Sequence, residues 1–274
     1  MSGQTTPQDR GQPLLTVRAL TRRFGGLVAV SGLDFDLHAG EILGLIGPNG
    51  AGKSTTFNMI AGTLTPTTGD IHLAGRPVGG LPPHEMAARG VMRTFQHNNL
   101  FAGMSLRENV MIGMHVGLAS SLLGVITGRA AVRESEGAAR RRADELLDFV
   151  GLADVREHDV TTLSFGQGRL LEAARALAGE PRLILFDEPA AGLAPAECDR
   201  LGRILQQIAA RGIGVLLIEH DMRFLLELAH RVVVLDHGER IATGTPEEIR
   251  HDRSVIAAYL GSSARTTAAG GTDA

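Results

Sequence analysis

The chain has 274 residues, a net charge of −3 and 43% apolar side chains, the profile of one globular domain or of one domain carrying an inserted lobe. Near-neutral charge, no tryptophan and a single tyrosine argue against a general nucleic-acid binder and against stacking platforms for single strands. No apolar run approaches the ~18 residues that span a bilayer; Met1–Pro13 is polar, without the apolar centre of a secretory signal; and the lone Cys198 makes no internal disulfide, which fits a reducing cytosol.

Taken in chain order, Leu14–Leu20 alternates and reads as a strand. Phe35–Leu37 and Glu41–Ile46 are further strands, joined at Ala39-Gly40. Ile42-Leu43-Gly44-Leu45-Ile46 is apolar almost throughout, the pattern of a strand buried on both faces. Gly47-Pro48-Asn49-Gly50-Ala51-Gly52-Lys53-Ser54 follows at once and matches the G-x-x-x-x-G-K-[ST] phosphate loop. Lys53 is the only lysine of the chain. Its ammonium is a compact charge on a thin stem, whereas every other strong base here is the planar fork of arginine. Ser54–Gly62 reads as a helix ending on glycine, so the motif sits in the strand–loop–helix context it needs. Asp70–Leu73 is a short strand, and Pro82-Pro83 opens a helix through Ala88. Strand signals then fade from His97 to Val160. Ser120–Thr127 is a short apolar stretch. Arg133–Val150 has helical spacing, with Ala139, Ala143, Leu146, Leu147 and Val150 on one side; the run Arg140–Arg142 is expected on its solvated face. A helix is expected at Leu170–Ala178. Leu183–Phe186 and Gly214–Ile218 are buried-type strands flanking a helix at Ala196–Arg211, where Cys198 is expected as a small apolar residue. Arg231–Leu235 and Arg240–Thr243 form a strand pair, and Pro246–His251 and Ser254–Leu260 are short helices. The Gly/Ala/Ser/Thr run Ser262–Ala274 is expected to be a flexible tail.

The chemistry lies at strand ends. Backbone N–H groups of Gly50–Thr55, at a helix N-terminus, are suited to phosphate oxygens. Asp187-Glu188 closes an otherwise apolar strand, at the sheet edge where ligands of α/β folds sit. Asp187 is a candidate Mg²⁺ ligand, and Glu188 a candidate general base that orients water. Ser164 and Gly166 precede a helix and form a second anion site.

With Leu163-Ser164-Phe165-Gly166-Gln167 shortly before the acidic strand, the chain resembles the ATP-binding subunits of ABC transporters, from about Leu14 to Gly261. The resemblance implies an α/β fold of ABC ATPase type: a P-loop NTPase (RecA-like) core with an antiparallel β subdomain and an inserted α-helical subdomain. It implies one domain over 14–261, with the core in 14–96 and 166–243, the helical subdomain in 97–165, C-terminal helices in 244–261, and tails at 1–13 and 262–274. It implies ATP and Mg²⁺ as cofactors. Phe24 stacks on adenine beside Val30; Gly47, Pro48, Asn49, Gly50, Ala51, Gly52, Lys53, Ser54 and Thr55 hold the phosphates; Ser54, Gln96 and Asp187 serve the metal. Lys53, Gln96, Glu188 and His220 serve hydrolysis, with His220 on the γ-phosphate. Ser164, Phe165, Gly166 and Gln167 act on the ATP of a second subunit, so that ATP closes a dimer and hydrolysis reopens it.

The closest likeness within that superfamily is to the larger ATP-binding subunit of branched-chain amino acid uptake systems. It rests on Phe24-Gly25-Gly26-Leu27 with Ala29-Val30, Arg93-Thr94-Phe95-Gln96, Asp187-Glu188-Pro189-Ala190-Ala191-Gly192-Leu193, Glu219-His220-Asp221-Met222, Gly244-Thr245-Pro246 and Tyr259-Leu260-Gly261. It implies a second ATPase subunit (a like copy or a sister subunit), a polytopic permease docking beside His97–Met104, an extracytoplasmic solute-binding protein as indirect partner, no nucleic acid, and a peripheral place on the cytoplasmic face of the inner membrane. Importers of urea or short amides share most of this text. A DNA- or ribosome-directed ABC ATPase would need a coiled-coil insertion or tandem ATPase domains, and a regulator without turnover would release no phosphate. Two positions depart from the family pattern: Ala194, where Asp or Asn is usual, and Gly168, where Gln, Lys or Asp is usual. Neither removes a phosphate, metal or water ligand, so an active ATPase with altered cooperativity is expected.

Overall fold

Strands that are apolar on both sides need cover on both faces, and the computed structural model, which describes residues 11–94, 100–118 and 129–259, provides it. The strands are β1 (Leu15–Phe24), β2 (Leu27–Leu37), β3 (Ile42–Ile46), β4 (Thr68–Leu73), β5 (Arg76–Pro77), β6 (Val91–Arg93), β7 (Leu183–Asp187), β8 (Gly214–Ile218), β9 (Arg231–Asp236) and β10 (Glu239–Gly244). The helices are α1 (Lys53–Ile60), α2 (Pro83–Ala88), α3 (Leu106–Leu118), α4 (Arg129–Phe149), α5 (Phe165–Ala178), α6 (Pro195–Ala210), α7 (Met222–Leu228), α8 (Pro246–His251) and α9 (253–259). One sheet runs β10-β9-β3-β8-β7-β6, parallel except for β10; the other runs β2-β1-β4-β5 and is antiparallel.

Period-two alternation divides the parallel strands between two cores. Ile184, Phe186, Val215 and Leu217 join a core with helices α4, α5 and α6. Leu183, Leu185, Leu216 and Ile218 join a second core with α1 and the antiparallel sheet. Every residue of β3, β7 and β8 is buried, so the carboxyl ends of these strands are held from both sides. Ligand-bearing loops in α/β folds leave from that edge.

The elements differ from the sequence expectation in specific places. β1 continues past Leu20 to Phe24 and turns through Gly25-Gly26 into β2, which begins at Leu27 rather than Phe35. Register shifts between Val17 and Arg23 break the alternation that a longer strand would otherwise display. β6 is only three residues long, too short for a periodic signal. α3 was hidden by its glycines: a Cβ at Gly113 would stand 2.3 Å from the Arg175 carbonyl, so the residue that lowers helix propensity also lets α3 approach α5. α5 starts at Phe165, not Leu170, because Ser164 and Gln167 form a reciprocal cap. α7 is capped by the Asp221 carboxylate, which accepts from the Arg223 and Phe224 N–H groups. Arg140–Arg142 face solvent, with Arg140 paired to Glu136 and Arg142 to Glu145. Cys198 is half-buried on α6 against the first core, and burial pushes its thiol pKa up. Gln96, His97, Ser120–Thr127, Leu260, Gly261 and most of both tails lie outside the described residues. No helix among the described residues is long and apolar enough to cross a membrane.

Candidate nucleotide site

β3 ends at Ile46 and the phosphate loop begins. Its turns demand glycine at two positions. Gly47 has φ 153°, and a Cβ there would stand 2.1 Å from the Leu235 carbonyl. Gly52 has φ 98° and caps α1, and a Cβ there would stand 2.6 Å from the Ala29 carbonyl. The loop is thereby pressed between β2, β9 and α1, and its N–H groups open α1. The Lys53 ammonium turns back over the loop and donates to the carbonyls of Gly47 (2.6 Å) and Pro48 (3.0 Å). Burial lowers the Lys53 pKa, opposed by the nearby charge of Glu188. Asn49, Gly50 and Ser54 are exposed, Pro48 and Thr55 half-buried, and Ala51 buried.

Phe24 is 45% exposed, at the tip of the β1–β2 hairpin, with the Arg22 guanidinium 4.6 Å above its ring. Val30 differs from what the resemblance implies. It has no exposed surface and packs under Gly52, supporting the loop instead of presenting a face to a base.

The acidic pair sits at the carboxyl end of β7. Asp187 is 2% exposed; its Oδ2 accepts from Arg93 Nη2 at 3.0 Å, while its Oδ1 has no hydrogen-bond partner. Burial raises the Asp187 pKa, with Arg93 pulling the other way. Arg93 also donates to Asn58 of α1 at 2.7 Å and lies over the Phe57 ring, so it ties α1 to the end of β7. Glu188 adopts a left-handed conformation, φ 50°, which costs a non-glycine residue about 1 kcal/mol. Its N–H is held by the Ile218 carbonyl. That turn aims its carboxylate at His220, whose Nε2 lies 2.7 Å from Glu188 Oε1. The structure therefore brings Lys53, Asp187, Glu188 and His220 to one sheet edge, as their strand-end positions suggest.

Two residues there escaped the sequence reading. Arg93 was visible only as text beside Gln96. Glu219 is 3% exposed and accepts from the Ala190 N–H at 2.7 Å; burial pushes its pKa up to about 7. It joins the turn after β7 to the turn after β8. The usable signal was a carboxylate directly following the apolar run Gly214–Ile218.

The Ser164 turn lies on another element. Ser164 Oγ accepts from the Gln167 N–H at 3.2 Å, and Gln167 Oε1 accepts from the Ser164 N–H at 2.9 Å. A Cβ on Gly166 would meet Glu197 Oε1 at 2.2 Å, and one on Gly192 would meet Phe165 at 3.3 Å. The turn is thus seated against the Gly192–Glu197 segment. Phe165 is 45% exposed, with Arg169 over its ring at 5.0 Å. A groove of about 700 Å³ lies between α2, α3 and α5, lined by His84, Leu100, Phe101, Ile112 and Arg175 among others, and it shares Arg93 with the acidic pair.

A family model described as ABC transporter matches residues 30–191, and one described as branched-chain amino acid ATP-binding cassette transporter matches residues 239–265. The chain is 42% identical to the high-affinity branched-chain amino acid transport ATP-binding protein BraF of Pseudomonas aeruginosa, over 91% of this chain and 98% of the relative. It is 40% identical to the corresponding protein LivG of Escherichia coli, over the same shares. Among solved structures, the ADP conformation of MJ1267, an ATP-binding cassette of an ABC transporter, superposes with a TM-score of 0.79 at 27% identity, covering 92% of this chain and all of that one. The dimeric, post-hydrolysis cassette MJ0796, bound to ADP and Pi, gives 0.69 at 25% identity, over 85% of this chain and 98% of that one. Glycine-clamped loop, acidic strand end and capped signature turn occur together in one ATPase fold, and the chain belongs to the ATP-binding cassettes of ABC transporters, in the branch of the branched-chain amino acid transport ATP-binding proteins.

Proposed function

We propose that this chain is the ATP-hydrolysing subunit of an importer, powering uptake of branched-chain amino acids through a partner permease at the cytoplasmic face of the membrane. The observation that carries the reading is the Lys53, Asp187, Glu188 and His220 cluster at one sheet edge, in a chain about 40% identical to relatives named for that transport.

The loop N–H groups from Gly50 to Thr55 and the Lys53 ammonium bind the phosphates. Lys53 leaves the Gly47 and Pro48 carbonyls for phosphate oxygens, which offer full negative charge in exchange. Phe24, exposed at its hairpin tip, stacks on the base. The unpartnered, buried Oδ1 of Asp187 fits a hydrated cation, and Ser54, exposed at the start of α1, fits as its second protein ligand. Mg²⁺ there supplies charge neutralisation on the phosphate oxygens. Glu188 orients water and takes its proton as the oxygen attacks the γ-phosphorus and ADP leaves. His220 serves the γ-phosphate, and its contact with Glu188 at 2.7 Å keeps the two side chains beside each other. Gln96 is assigned to the same centre by resemblance alone.

Residues 97–165 form the helical lobe and 14–96 with 166–243 the core. The Ser164 turn completes the site of a second cassette, and the Leu100–Phe101 wall of the large groove receives a permease loop. Reconstituted with its permease and binding protein, the wild type should accumulate leucine in an ATP-dependent way. Glu188→Gln should slow hydrolysis about 10²- to 10⁴-fold and abolish uptake while still binding ATP. An unchanged hydrolysis rate removes Glu188 as the base, and hydrolysis without leucine uptake removes the cargo assignment.

A further inference from the structure

Glu188 has φ 50°, and a non-glycine residue keeps a left-handed backbone only where its surroundings over-determine it. Here the restraints come from three consecutive residues at the end of β8. The Ile218 carbonyl accepts the Glu188 N–H at 2.9 Å. Glu219 Oε1 accepts the Ala190 N–H at 2.7 Å, two residues further along the same turn. His220 Nε2 lies 2.7 Å from Glu188 Oε1. Ile218 is itself held by its pairing with Asp187 in the sheet, so the start of the turn is fixed by the ladder. Its far end is fixed by Glu219. Pro189 stands between the two and has little freedom in φ, and the Ala191 N–H returns to the Glu188 carbonyl at 3.2 Å. Pinning Ala190 therefore pins Glu188. Glu219 is 3% and Ala190 7% exposed, so water does not take the place of the carboxyl oxygen, and its loss leaves a buried N–H without an acceptor.

We propose that Glu219 is a positioning residue for hydrolysis: by holding the Ala190 N–H it fixes the turn that aims the Glu188 carboxylate at the attacking water. The proposal rests on the reading of Glu188 as the base. Glu219 acts through that residue and touches neither nucleotide nor water in this role. The role needs an acceptor rather than a charge. A carboxyl group offers one in either protonation state, and so does the amide oxygen of glutamine.

The test compares Glu219→Gln with Glu219→Met in the purified chain. The two side chains are alike in length and neither is charged, but only glutamine brings an oxygen for the Ala190 N–H. Glu219→Met should lower kcat for ATP hydrolysis about tenfold, the scale of one hydrogen bond to a charged group. KM and the affinity for fluorescent, ribose-labelled ATP should hold, as they do when only the transition state is affected. Glu219→Gln should restore the wild-type kcat. Glu219→Asp keeps the charge but withdraws the oxygen by one methylene; it should fall with the methionine variant, and it carries the test if Glu219→Met does not fold. In a Glu188→Gln background Glu219→Met should cause no further loss, because a residue that acts through Glu188 then has nothing to act on. If Glu188→Gln lowers kcat and Glu219→Met does not, the Glu219 proposal is overturned and the base reading stands. If Glu188→Gln leaves the rate unchanged, the base reading is wrong and the proposal falls with it. A Glu219→Gln rate as low as that of Glu219→Met, a parallel loss of labelled ATP, or an additive loss in the Glu188→Gln background would make Glu219 a general structural residue and also overturn the proposal.

Discussion

Glu219 is an acid buried at the edge where nucleotide chemistry takes place, and its energetics have a definite sign. Its pKa rises from 4.5 to about 7, chiefly through burial, with donation from the Ala190 and His220 N–H groups opposing. The folded protein therefore binds this proton more tightly than the unfolded chain. The stabilisation is complete below pH 4.5, is lost as pH rises toward 7, and stays lost above it, to a limit of about 3 kcal/mol. Glu219→Gln keeps an acceptor for Ala190 and carries no charge. Urea unfolding should show the variant gaining on the wild type between pH 5 and 8; parallel pH profiles would show that Glu219 is not titrating in the fold. Residue-scale legibility follows the same logic. Lys53, Asp187, Glu188 and His220 stand out because each adjoins an apolar strand or a glycine loop, where a polar side chain needs a reason. Arg93 does not: its partners are Asp187 and Asn58, and only the tertiary register brings them together. Glu219 follows an apolar strand as His220 does, but its partner Ala190 lies in the turn after another strand.

Elements were legible where a period survived and illegible where packing overrode propensity. β3, β7 and β8 are apolar runs bounded by turns, α4 carries helical spacing, and α1 is marked by the phosphate loop before it and the glycine after it, so these elements can be read from the chain. β1 and β2 are bulged, and α3 tolerates Gly113 for its contact with α5. Helix caps make a sharper case. Ser164 before α5 and Thr245 before α8 both form reciprocal caps. Ala194 before α6 has no acceptor side chain; only its N–H is served, by Glu197 Oε2 at 3.0 Å. Ala194→Asp supplies the missing acceptor and should raise unfolding free energy by about 1 kcal/mol in urea. Ala194 adjoins the segment that seats the Ser164 turn, so the same variant should change the Hill coefficient for ATP. A Hill coefficient identical to that of the wild type would show that this position does not couple two sites.

For the whole molecule, the phosphate loop follows β3 while the Ser164 turn leads α5, a helix that precedes β7. In the proposed function, one triphosphate is held by the loop of one copy and completed by the Ser164 turn of another. The C-terminal family match over residues 239–265 takes in β10, α8 and α9, and Ile249 and Val255 of those helices share a core with β9. The direct test mixes two individually inactive purified variants, Lys53→Ala and Ser164→Arg, and measures ATP hydrolysis. If each site takes its lysine from one copy and its serine from the other, every mixed pair holds one intact site. Turnover should then return to about a quarter of wild type for independently firing sites. If the mixture stays as inactive as its components, each copy builds its site alone and the shared-site account is wrong.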